Sequence, residues 1–549
     1  MDNINLRSKD RCLEVLSLLY TARFTDEKMN KLAVQNKGTS FFLSHLGHEL
    51  IGILTALLLD PKKDFSLPYY RDRAYAIALG SDLKDLFAAF LARDSLHHSA
   101  TRQMPDHFCD KTLNITCQSS VVGAQFLQAV GIAKALKKDE IVYVSSGDGA
   151  TSQGDFHEAL NFSSIHKLPV FFCIQDNEYA ISVTQKEQTA GSSIAKMASG
   201  YENIKIFEVD GTNYLDTSKA LMEAISYLRA KKGSVVFIAK VPRLGAHSIS
   251  DDPKKYKTES QILKEQKKDP IPLFEKFLLD EKIITPTEIE NLKKEIFDFV
   301  EEKAALAEEI DFPQKKDAIK NLFAPIQINQ KDELIENSEP ITIMDAINHG
   351  LKEAMQKDEN IIVFGQDVAD KKGGVFGITR GLSDLFSKNR CFNTPLAEST
   401  IVGLAIGMSM VGKKPICEIQ FADYIWTGVN QLFNELSSMY YRSNGEYNCP
   451  VVIRVPAGAY IQGGPYHSQS IEAFLCHVPG LKVVAPSNAK DAKNLLKAAI
   501  LDPNPVVFLE HKAIYRQRTF AATLEPTKDS ITPLGKAKIV HEGSDVTIV

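Results

Sequence analysis

The sequence predicts an α/β protein of two successive units, each a parallel sheet covered by helices, with the start of a third unit at the carboxyl end. Three observations carry this. The 549 residues exceed one core, since single domains rarely grow past roughly 250 to 300 residues. Runs such as 141–145 and 170–174 are apolar at successive positions rather than alternating, as strands buried on both faces are. The succession of such runs and helical patterns stops in a charged stretch between about 270 and 340 and then restarts.

In the first unit a helical pattern over 123–137 leads to the strand 141–145, and a second strand covers 170–174. Thr285-Pro-Thr-Glu288 has the form of a capping box with proline at the first helical position, so a helix starts there. Ile289, Leu292, Ile296, Phe299 and Val300 would form its inward stripe, leaving a solvated Glu/Lys face. Residues 312–340 lack periodicity and are rich in Lys, Asp, Gln and Asn, which sets a linker at 321–340 between a unit 1–320 and a unit 341–525. The second unit opens with a helical pattern over 344–355 and the strand 360–364, followed by strands at 451–455 and 506–509. Ser544-Asp-Val-Thr-Ile-Val549 reads as a further strand, so 526–549 is expected to begin a third domain that the chain does not finish.

Composition excludes several functions. With 64 basic against 69 acidic residues, a net of −5, the chain lacks the basic excess that releases counterions from a phosphate backbone, so nucleic acid is not its main partner. The apolar stretch 50–59 is far short of the roughly 20 residues of a membrane-spanning helix, and the first residues lack a secretory pattern, so a cytoplasmic location is expected. The eight cysteines include no C-x-x-C pair, which argues against a zinc ribbon or dithiol motif and for buried thiols.

Chemistry is concentrated after the strands. Gly147-Asp-Gly149 follows the first strand directly and precedes a helical pattern, a place where glycines let a backbone approach phosphate and Asp148 could hold a divalent ion. Asp176-Asn177-Glu178-Tyr179 follows the second strand and offers further oxygen ligands to the same crevice. Taken alone, each is a tight turn. Together they place Asn177 one strand–helix–strand step beyond Asp148, the spacing of the thiamine diphosphate motif of transketolase-like enzymes.

The chain resembles the thiamine diphosphate-dependent dehydrogenase component of 2-oxo acid dehydrogenase complexes, with α-type and β-type subunits fused. Matching segments run in family order: Pro68-Tyr-Tyr-Arg-Asp-Arg73, Gln118-Ser-Ser-Val-Val-Gly-Ala-Gln125, 147–155, 175–182 and Gly245-Ala-His-Ser-Ile-Ser-Asp-Asp252. The β-type part adds Phe364-Gly-Gln-Asp-Val-Ala369, 393–403, 418–425 and Tyr466-His-Ser-Gln-Ser470. The resemblance implies two transketolase-like cofactor-binding domains and oxidative decarboxylation of a 2-oxo acid, closer in wording to the branched-chain, 3-methyl-2-oxobutanoate class. It also implies acyl transfer to the lipoyl domain of a dihydrolipoyl acyltransferase, and a homodimer as the smallest assembly. Pyruvate or acetoin dehydrogenase, a transketolase-like carboligase and an inactive assembly subunit stay open as alternatives.

By the same resemblance Asp148, Asn177 and the Tyr179 carbonyl hold Mg2+, while Gly147, Gly149 and Ala150 line the diphosphate and Tyr70 and Arg71 bind its phosphates. Ser120 and the Val122 backbone contact the middle and aminopyrimidine of the cofactor, Leu396 props its bent form, and Gln420 and Tyr424 belong to the pyrimidine pocket. Glu398 matches the glutamate that hydrogen-bonds the aminopyrimidine, and His247 and His467 match the histidines serving proton transfer and reductive acylation. Many members also hold a structural K+, and here Ala124 stands where a hydroxyl ligand could be. Asp176, Ala246 and Gln366 depart from common family residues, Gln366 replacing an acid of a path said to link two sites. Ser248 matches a phosphorylation site of animal relatives and is expected to be unregulated here. Phe41 and Phe42 are candidates for an apolar substrate wall.

Overall fold

The computed structural model describes residues 5–39, 41–136, 139–336 and 338–548; Lys137 and Val549 lie outside them. The first sheet contains β1 (Phe65–Leu67), β2 (Val142–Gly147), β3 (Val170–Asp176), β4 (Ile204–Asp210) and β5 (Ser234–Lys240), ordered β1-β2-β3-β5-β4 with every pair parallel. All of β3 is buried, which is why its run does not alternate. The second sheet contains β6 (Ile361–Gly365), β7 (Cys391–Asn393), β8 (Lys414–Glu418), β9 (Val452–Ala457), β10 (Lys482–Val484) and β11 (Val506–His511), ordered β10-β11-β9-β8-β6-β7, again parallel.

Among the helices are α1 (Lys9–Val34), α2 (Gln125–Ala135), α3 (Gly154–His166), α4 (Pro286–Glu308), α5 (Ile343–Lys357), α6 (Glu398–Met410) and α7 (Ala489–Leu501). The capping box of α4 forms as its sequence requires: the Thr285 N–H donates to Glu288 at 2.8 Å, and the Glu288 N–H to the Thr285 hydroxyl at 3.3 Å. Its inward stripe differs at one position. Ile289 and Val300 are buried and Leu292 and Ile296 pack against the same core, but Phe299 is 41% exposed. Phe299 sits one residue, about 100°, from Val300, and the buried line continues through Ala304 and Ala307 instead.

The two sheets share a hydrophobic core. Helix α2 from the first unit lies on α6 from the second, and Phe126, Leu127 and Val130 join Ile401, Leu404 and Leu432 in one cluster. Glycines permit the approach. A Cβ on Gly407 would stand 2.0 Å from the Gln128 carbonyl oxygen, and one on Gly131 would stand 2.5 Å from that of Leu404.

Residues 331–336 and 338–341 run back along 523–531, with the Lys331, Ile335 and Ile341 N–H groups donating to the carbonyls of Ile531, Glu525 and Thr523 at 2.8–3.1 Å. The expected strand at 544–549 is a correction: 544–548 carries no strand, and Val546 and Ile548 are exposed. Its alternation alone cannot make a ladder, which needs a neighbouring backbone to exchange hydrogen bonds. Beneath the second sheet's carboxyl ends, buried Arg454 pairs with Glu418 (2.8 Å) and Glu510 (2.7 Å), tying β8, β9 and β11 together. Seven of the eight free cysteines are buried, and no helix among the described residues is long and apolar enough to cross a membrane.

Candidate functional site

A cavity of about 410 Å3 opens beyond the carboxyl ends of β2 and β3, where open parallel sheets place their ligands. Tyr70, Arg71, Ser120, Val122, Gly147, Asp148, Gly149, Ala150, Asn177, Tyr179 and His247 all line it. Asp148 and Asn177 are buried, and Asp148 Oδ2 and Asn177 Oδ1 have no hydrogen-bond partner among the described residues. Burial, and then the neighbouring Asp176, push the Asp148 carboxyl up to about 7. Two orphaned oxygens in a crevice that penalises negative charge suit a small hard cation.

The surrounding residues fix this loop. Asp176 accepts hydrogen bonds from the Glu178 N–H at 2.9 Å and the Gln185 amide at 2.8 Å and pairs with Lys240, so this departure from the family pattern serves as an anchor. Glu178 and Ile181 adopt positive φ, 67° and 59°, as the hairpin of Tyr179–Ala180 and Val183–Thr184 folds over the cavity. Gly149 is needed beneath it, because a Cβ there would meet the Ala180 Cβ at 2.5 Å. Arg71 is buried, donates to the Ser44 carbonyl and lies 3.3 Å from both the His247 ring and its carbonyl oxygen. Burial, then Arg71 and Arg243, push His247 down to about 4.

Leu396, Glu398, Gln420, Tyr424 and His467 do not line this cavity. They gather after β7, β8 and β9 of the second sheet. Buried Glu398 begins α6 and accepts hydrogen bonds from the Thr427 hydroxyl at 2.8 Å and the Gln366 amide at 3.3 Å. Tyr424 and His467 share a 2.8 Å hydrogen bond, the Gln420 amide donates to Asp367 at 2.9 Å, and Leu396 is 82% exposed.

Sequence reasoning missed Met104, His107 and Arg243. His107 hydrogen-bonds the Ser120 hydroxyl at 2.8 Å, and Arg243 donates to the Ile181 carbonyl at 2.8 Å and to Tyr256. The signal for Arg243 was its place four residues before His247. Of the two phenylalanines, Phe41 lines the cavity, while Phe42 is buried in the core edge-on to Phe90.

Asp72, next to Arg71, locks this turn onto the sheet by accepting from Tyr143 (2.6 Å), Gln175 (2.7 Å) and Ser145. Burial outweighs these hydrogen bonds and pushes its carboxyl up to about 6. The folded state therefore holds this proton more tightly than the unfolded chain. Stability from this group is fully present below pH 4 and is lost as pH rises to about 6, by about 3 kcal/mol. Urea midpoints from pH 4 to 7 should decline in the wild type, and Asp72→Asn should decline by about 3 kcal/mol less, since Asp148 adds its own loss over the same range; parallel profiles would refute the assignment.

Two family matches run along the chain: Dehydrogenase E1 component over residues 17–316, and Transketolase, pyrimidine binding domain over 339–518. Curated relatives align with the second part. The 2-oxoisovalerate dehydrogenase subunit beta of Bacillus subtilis (strain 168) is 47% identical over 209 residues, 38% of this chain and 63% of that protein. The 2-oxoisovalerate dehydrogenase subunit beta 2, mitochondrial, of Arabidopsis thaliana is 48% identical over 215 residues, 39% of this chain and 59% of its own length. The pyruvate dehydrogenase E1 component subunit beta of Acholeplasma laidlawii is 48% identical over 210 residues, 38% of this chain and 63% of that protein. The chain thus spans about three fifths of the length of these relatives.

Proposed function

Because the chain belongs to the dehydrogenase E1 component family, we propose that it catalyses thiamine diphosphate-dependent oxidative decarboxylation of a 2-oxo acid and passes the acyl group to the lipoyl domain of a dihydrolipoyl acyltransferase. The observation that carries this is the pair of unpartnered oxygens, on Asp148 and Asn177, facing a cavity shared with Arg71 and Gly149. Asp148, Asn177 and the Tyr179 carbonyl would hold Mg2+, Tyr70 and Arg71 would bind the diphosphate, and Gly147, Gly149 and Ala150 would let it approach the backbone. Ser120 and Val122, which also line the cavity, would meet the rest of the cofactor. Bound there, thiamine diphosphate supplies the nucleophilic carbon and the electron sink for loss of carbon dioxide. The chain's own groups do the remaining work. Glu398, oriented by Thr427 and Gln366, holds the proton exchanged with the aminopyrimidine. His247, kept neutral by burial and two guanidiniums, accepts a proton near the substrate, and His467 serves acyl transfer. Structural K+ has no support in the Ala124 position, which lacks an oxygen side chain.

Leu396 lies exposed, and its group stands apart from the cavity. This supports a homodimer in which the first unit of one copy and the second unit of its partner complete each site. The eight cysteines, all free and seven of them buried, support a reducing, cytoplasmic location. Phe41, Leu43 and Met104 give the cavity an apolar wall, which favours a branched 2-oxo acid, and two of the relatives bear that name. Pyruvate is the second reading, favoured by the relative named for it. Dye-coupled decarboxylation of 3-methyl-2-oxobutanoate and pyruvate tests both. A higher kcat/KM for the branched acid is expected, and turnover of neither in the presence of cofactor and Mg2+ would refute the proposal.

A further inference from the structure

Behind His467 stand two buried polar groups to which the reaction, as read above, gives no part. Lys512 follows β11 directly and is 3% exposed, and its Nζ has no hydrogen-bond partner among the described residues. Asp423 is also buried, and its Oδ2 is likewise unpartnered. Buried ammonium and carboxylate groups are costly unless something compensates them, so two such orphans in one neighbourhood require an account.

Their surroundings connect them to the histidine. Lys512 Nζ lies 5.5 Å from the centre of the Phe421 ring, and Phe421 packs edge-on against His467 at 4.6 Å. Asp423 Oδ1 accepts the Ser468 and Gln469 N–H groups at 3.1 and 3.3 Å, gripping the segment that begins at His467. Tyr424, next in the chain, hydrogen-bonds His467 Nε2. Burial presses the Lys512 ammonium below its ordinary range, and Asp423 is the acid that opposes this. The two make no direct hydrogen bond, and the carboxylate acts on the ammonium through space.

We propose that Lys512 is a positioning residue for His467: as the buried counter-ion of Asp423, it fixes the carboxylate that holds the His467 segment. This rests on the role given above to His467. Lys512 touches neither cofactor nor substrate in this scheme. It acts through Asp423.

The test uses the full chain with thiamine diphosphate, Mg2+ and a lipoyl domain. Lys512→Met should lower kcat for reductive acylation about tenfold while KM for the 2-oxo acid stays within about twofold, and Lys512→Arg should recover much of the loss. In a His467→Ala background, Lys512→Met should add less than about twofold, because both act through one group. Independently of turnover, amide exchange at Ser468 and Gln469 should quicken about tenfold in Lys512→Met with β9 unchanged. Additive losses in the double variant, or unaltered exchange at those two amides, would overturn the role of Lys512 alone. Wild-type acylation by His467→Ala would overturn it together with the assignment of His467.

Discussion

Glu398→Gln is expected to lower decarboxylation by about 10^2- to 10^4-fold with little change in stability. The substitution is nearly isosteric at a buried position. Thr427 and Gln366 both donate to the carboxylate, and a glutamine keeps one acceptor for them while losing the group that exchanges a proton. The carboxylate also opens α6, where a negative charge contributes only about 0.3 to 1 kcal/mol through the helix dipole, so folding should survive. Trp426, the single tryptophan, precedes Thr427 and donates to Gln469 at 3.0 Å, giving a fluorescence signal beside this group. Cofactor should still quench it in the variant while dye reduction is lost. Wild-type turnover by Glu398→Gln would remove the central assignment.

Gly407→Val is expected to destabilise the protein by at least about 3 kcal/mol. A Cβ at this position meets the Gln128 carbonyl oxygen at 2.0 Å and the Ile132 nitrogen at 2.6 Å, both backbone atoms of α2 that cannot step aside without moving the helix. Because α2 and α6 bring the two sheets into one core, the loss should appear as a lower urea midpoint for the whole chain. Gly154→Ala is the control. Nothing lies within 4 Å of a Cβ there, and the change should be neutral or slightly stabilising. An unchanged midpoint for Gly407→Val would contradict the packing.

What the sequence disclosed depended on how locally each feature was encoded. The Gly147-Asp-Gly149 and Asp176–Tyr179 turns were legible because turn chemistry after a buried strand is written in adjacent residues, and the structure brings both to one cavity. The start of α4 was legible for the same reason, through Thr285 and Glu288. Phe299 misled because a stripe read by spacing is uncertain by one residue, and one residue turns a helix by about 100°. Phe41 and Phe42 lie in an irregular segment with no period to say which faces the cavity. The β1 strand is three residues long, too short for any pattern. Gly131 and Gly407 look like ordinary helix glycines until α2 and α6 meet, and Arg243 gains meaning only when the 179–184 hairpin folds onto it. Such pairings are made by tertiary structure, between residues far apart in the sequence.

The shared core also says what the connecting segment is for. Residues 321–336 and 338–340 are largely exposed, and the α2–α6 contact buries apolar side chains contributed by both units. Cohesion between the units therefore resides in the interface, while the peptide between them is itself held on the second unit by its pairing with 523–531. A protease site placed in that segment should yield two fragments that stay together through gel filtration. Two separate genes could encode the same particle, and fusion would then secure equal supply of the two halves rather than create a new architecture.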